Sequence, residues 1–73
     1  MKKKIDGFKI VSGEHVLDEF SFYVDSNNHA SINNNGGCLF DGYKLEAESR
    51  WNQIRKDMRL VEGMGFTIVG GMA

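Results

Sequence analysis

One stretch, from Tyr43 to Glu62, constrains this chain more than any other. On a helix of 3.6 residues per turn, Tyr43, Ala47, Trp51, Ile54, Met58 and Val61 fall within about 80° of arc. Steps of three and four residues along the chain are the mark of a helix with one face against a core. Glu48, Asn52, Lys56 and Arg59 occupy the opposite side. Asp41 is placed to cap the N-terminus, its carboxylate accepting from the free amides of the first turn. Gly63 is placed to end the helix in the left-handed conformation. On the exposed surface, Glu46 and Arg50 stand one turn apart, a pair worth about 0.3 kcal/mol.

The residues before the helix alternate with a period of two. Ile5 to Val11 reads as a first strand, with Phe8 and Ile10 on one face and Ile5, Lys9 and Val11 on the other. Ser12-Gly13-Glu14 supplies a turn. Val16 to Val24 reads as a second strand, with Phe20, Phe22 and Val24 inward and Ser21 and Tyr23 outward. Asp25-Ser26-Asn27-Asn28 makes the next turn, since Asn and Asp tolerate positive φ and bond their own backbone. His29 to Ile32 is a short third strand with Ala30 and Ile32 on one side. The Asn-Gly pair within Asn33 to Gly37 is a strong hairpin signal. Cys38-Leu39-Phe40 follows as a brief fourth strand or an extended lead into the helix. After the helix, Phe66 to Val69 reads as a last strand, and Gly70 to Ala73 is expected to fray.

These elements predict one α+β domain over residues 1–73. It is a small two-layer sandwich in which an antiparallel meander of three or four strands is followed by one long helix and a final strand. Alternating directions bring the last strand antiparallel beside the first, in the order 5-1-2-3, with the short fourth strand at the far edge. A chain of 73 residues buries only about 60% of the surface its unfolded form exposes. Five Phe, one Trp and two Tyr nevertheless supply enough apolar material for a single core.

Charge and chemistry exclude more than they identify. Nine basic residues against ten acidic ones leave a formal charge of −1, without the basic excess of a dedicated nucleic-acid or anionic-membrane binder. Lys2, Lys3 and Lys4 have the charge of a signal-peptide start, but Asp6, Gly7 and Lys9 interrupt any apolar segment after them. No export signal or membrane span is therefore expected. Cys38 is the only cysteine, which fits a reducing compartment and a cytoplasmic location. His15, His29 and Cys38 form no metal-ligand spacing. Cys38 between Gly37 and Leu39 reads as a small buried hydrophobe before it reads as a nucleophile. Glu14, Asp18 and Glu19 read as a solvated strand end. Gly63-Met64-Gly65 closes a helix and lacks the third glycine of a dinucleotide fingerprint. No enzyme activity, metal or cofactor is expected.

Two binding classes remain. The first is a small intracellular protein-binding module, of the adaptor or inhibitor kind that phages and mobile elements encode, acting by occupying a surface of a larger protein. Leu45 and Leu60 fall off the core stripe of the helix, and Tyr23 points outward from the second strand. With Asn34 and Asn35 of the projecting turn, these form the candidate partner-binding set. The open edges of the fourth and last strands offer strand addition as another route. A monomer or weak homodimer is expected. The alternative is a small nucleic-acid-binding domain that uses Arg55, Lys56 and Arg59 of the helix together with the N-terminal lysines.

Overall fold

The computed structural model describes residues 2–70. The elements are β1 (Lys2–Ser12), β2 (His15–Asp25), β3 (His29–Asn34), β4 (Gly37–Tyr43), α1 (Lys44–Gly63) and β5 (Thr67–Gly70). All neighbouring strands are antiparallel. They form one five-stranded sheet in the order β4-β3-β2-β1-β5. This is the α+β arrangement the alternation predicts, with the last strand returning beside the first.

The turns follow from their residues. Gly13, at φ 59°, opens the two-residue turn that joins Ser12 to its partner His15. Asn35 and Gly36, at φ 51° and 85°, close the β3–β4 hairpin. Positive φ at both central positions is the backbone that matches the twist of the flanking strands, and an Asn-Gly pair adopts it at low cost. Between β2 and β3, Asp25 Oδ1 accepts from the Asn27 amide at 3.0 Å, and Asn28 takes φ 63°. That amide bond holds the exposed Asp25 carboxyl below its ordinary range.

The core lies between the sheet and α1. Phe8, Ile10, Phe22, Ala30, Ile32, Ala47 and Trp51 are buried, with Phe20, Val24, Phe40, Ile54, Met58, Val61, Phe66 and Ile68 packed around them. The indole of Trp51 sits 5.4 Å from both the Phe8 and Phe22 rings, and Phe20 stacks on Phe8 at 5.1 Å. Each such ring pair adds about 0.5–1.5 kcal/mol beyond its buried area. The central helix stripe, from Ala47 to Val61, is therefore inward as its spacing requires.

The departures from the sequence reading lie where elements meet. Tyr43 is not in the stripe: it ends β4, is 67% exposed, and sets its ring edge against His29 at 5.3 Å. Asp41 is not the cap, because β4 continues through it and runs directly into the helix. Its carboxylate lies 3.6 Å from Lys2 Nζ instead. Tyr43 occupies the cap position without a side-chain bond, and the carbonyl of Asn28 accepts from the Lys44 amide at 3.0 Å. Gly63 stays helical, and the left-handed turn falls at Gly65, φ 102°. Those extra residues let Phe66 return to the core. Ile5 is not an ordinary member of the outer face. Lys4 pairs with Tyr23 and Asp6 with Phe22, so Ile5 is an inserted bulge residue. Gly70 pairs with Phe8 as the last residue of β5; the expected fraying of 71–73 falls outside the described residues.

Candidate functional site

Beneath the helix, just after the β1 bulge, Asp6 keeps the helix-facing parity of Phe8 and Ile10, whereas the inserted Ile5 shifts the parity of the residues before it, so that Lys4 pairs with outward-facing Tyr23. Its Oδ2 accepts from Trp51 Nε1 and from Arg55 Nη1, both at 2.9 Å, while Oδ1 accepts from the Gly7 amide at 2.8 Å. The Asp6 side chain is only 10% exposed, a burial that its three donors make tolerable. Asp6 thus fixes the azimuth of Trp51 and orients Arg55 along one flank of α1.

That flank overhangs a groove of about 500 Å³ between α1 and β5. Phe8, Met58 and Ile68 contribute its apolar lining, and Arg55, Lys56 and Arg59 its cations. Asn52, Glu62 and Gly70 complete it. The three helix cations singled out in the sequence therefore converge on one place. Among the described residues, Lys56 and Arg59 take part in no ion pair. β5 ends the sheet, so its outer edge has no strand partner among the described residues.

The other sequence candidates are dispersed. Leu45 and Leu60 are 79% and 72% exposed but lie about 22 Å apart along the helix, at 1.5 Å per residue. Met64, also exposed, is one turn beyond Leu60. Tyr23 is on the sheet face opposite the helix, in register with Ser31. Asn34 and Asn35 bind within the fold. The Asn34 amide donates to the Asp18 carboxylate, and Asn35 Oδ1 accepts from the Glu19 amide at 3.0 Å. The acidic strand end is thus partly a clasp holding the β3–β4 hairpin to β2.

The uncovered sheet face has a shallower hollow lined by Lys2, Tyr23, Ser31, Asn33, Cys38 and Asp41. Lys2 Nζ reaches Ser31 Oγ at 3.4 Å there. Cys38 is exposed, not buried, because a register irregularity between Asn33 and Ile32 turns it to this face. It pairs with Asn33 while His29 pairs with Tyr43 at the far end of β4, so the two do not form a thiol–imidazole pair. Among the described residues, no group of three or more His, Cys, Asp or Glu side chains could hold a metal ion, and no helix is long and apolar enough to cross a membrane.

Reading residues in isolation overlooked Asp6 and the apolar lining of the groove. The available signal for Asp6 was its parity with Phe8 and Ile10. No protein-family model, curated protein or solved structure matches the chain.

Proposed function

We propose that this chain is a small non-enzymatic protein-binding module that occupies a surface of a larger protein. The observation that carries the reading is the α1–β5 groove, where apolar side chains and cations border a strand edge open for pairing. Grooves of this kind, beside an unpaired edge, take extended chain segments through backbone hydrogen bonds and side-chain pockets. A cytoplasmic setting suits its lone exposed thiol. A second reading, nucleic-acid binding, draws on the convergence of Arg55, Lys56 and Arg59; the overall charge of −1 weighs against it.

A photo-cross-linking residue at Asn52, on the groove, and another at Lys9, on the uncovered face, test the proposal in the cells that express the chain. One dominant protein adduct from position 52 that survives nuclease treatment is expected. Adducts lost on nuclease treatment, or formed equally from both positions, would overturn it.

A further inference from the structure

We propose that the occupant of the groove is an extended acidic segment of the partner. It adds along β5 as a sixth strand, with carboxylates at alternate positions facing Arg55, Lys56 and Arg59. This inference rests on the protein-binding reading and names the chemistry of the partner.

Three observations converge on it. The first is the contrast between sheet edges. Natural edges are guarded by bulges, charges or proline. The β4 edge has a register irregularity beside Leu39 and the carboxylate of Asp41. The β5 segment Thr67-Ile68-Val69-Gly70 has no charged residue, and Val69 is 49% exposed. The second is the apolar lining by Phe8, Met58 and Ile68, which suits an aliphatic side chain at the next helix-facing position beyond the carboxylates better than a hydrated phosphate chain.

The third is spacing. Arg55 and Arg59 are four residues apart, about 6 Å along the helix axis. Alternate residues of an extended strand are about 6.6 Å apart and point to the same face. An acid-x-acid segment running beside β5 therefore presents one carboxylate to each guanidinium, a pairing favoured by charge-assisted hydrogen bonds. Lys56 stands between them as a third cation. Glu62 at the same groove disfavours a continuous polyanion, so a short acidic segment fits better than a nucleic-acid backbone.

Fluorescence anisotropy with three labelled probes tests the inference. The probes are a short peptide with aspartate at two successive same-face positions and valine at the next (Asp-Thr-Asp-Thr-Val), the same peptide with lysine for aspartate, and a mixed-sequence single-stranded oligonucleotide. The acidic peptide should bind, weaken as salt rises, and protect from hydrogen exchange those β5 amides that point away from β1. The double variant K56E/R59E, at two exposed positions, should fold with unchanged Tm. It should lose at least about tenfold in affinity for the acidic peptide, a change of about 1.4 kcal/mol, and gain affinity for the lysine peptide. Tighter binding of the oligonucleotide than of the acidic peptide would overturn the inference, as would peptide binding that leaves β5 unprotected. If the acidic peptide fails while protein adducts from position 52 persist, the acidic partner is wrong and the protein-binding reading stands. Loss of those adducts removes both.

Discussion

The two flanks of α1 carry similar cations but are finished differently. Toward β4, the Arg50 guanidinium lies 4.4 Å from the centre of the Phe40 ring, and its Nη2 is 3.2 Å from Glu46. Both the face and an edge of that cation are engaged. Toward β5, Arg55 is held by Asp6 while Lys56 and Arg59 border an open groove. The difference traces to the edge strands. β4 presents a phenylalanine to the helix, whereas β5 ends at Gly70, φ 93°, beside Phe8. Among the described residues, β5 offers no aromatic side chain to take the corresponding place. Whether a basic helix face becomes a docking site depends less on its charges than on what the neighbouring strand places beneath them.

Trp51 supports both flanks, so its removal should end the comparison altogether. Trp51→Ala should destabilise the fold by about 3–5 kcal/mol, a large share of the stability of a domain this small, roughly 4–10 kcal/mol. Urea unfolding should show the midpoint collapse. A midpoint shift under about 1 kcal/mol would mean that the rings on β1 and β2 hold the core without the indole.

Asp6 separates the flanks. Asp6→Ala deprives the Trp51 indole N–H and the Arg55 guanidinium of their shared acceptor, and should destabilise by about 1–3 kcal/mol. It should also free Arg55 to move over the groove. Asp6→Asn keeps an acceptor and should recover part of that loss. NMR should find the Arg55 side-chain signals changed in Asp6→Ala while those of Arg50 stay in place. Equal changes at both arginines would show that the two flanks are coupled through the helix.

The parts of this arrangement that were legible in advance are those with local causes. The alternation of Phe20, Phe22 and Val24 and the helical spacing from Ala47 to Val61 both mark one buried face. Asn35-Gly36 has the chemistry its turn demands. The misread positions answer to tertiary causes. Asp41 and Tyr43 look like a cap and a first core residue, but pairing with β3 carries the extended backbone through both. A bulge at Ile5 inserts one residue into the count, so Lys4 comes into register with outward Tyr23 although simple parity puts it on the face of Asp6 and Phe8. The cations of the groove were visible on the helix. Its lining was not, because Phe8, Ile68 and Gly70 meet only through the register of β1 with β5.

A double-mutant cycle between Arg50 and Phe40 sharpens the contrast on the closed flank. Substituting Arg50→Ala and Phe40→Leu singly and together should give a coupling energy of about 0.5–1 kcal/mol. The same cycle between Arg59 and Ile68 should give coupling near zero, since no hydrogen bond, ion pair or ring contact joins them across the shared groove. Comparable couplings would mean that the β5 flank is already closed in solution.

The smallest effect concerns the start of the helix. Asp25 organises the turn whose Asn28 carbonyl accepts from the Lys44 amide, and the Asn27 amide lowers its pKa below the ordinary 3.8. A carboxylate with a lowered folded pKa contributes stability that is present above its unfolded value and lost as pH falls through the folded one. Acidification below about 3.8 should therefore reduce the hydrogen-exchange protection factor of Lys44 before that of Phe8, which is flanked by strands on both sides. Asp25→Asn should show the reduced Lys44 protection already at neutral pH and lose this pH dependence. If Lys44 and Phe8 instead lose protection together, with or without the Asp25 carboxylate, acid loosens the whole sheet and the turn has no separate hold on the helix.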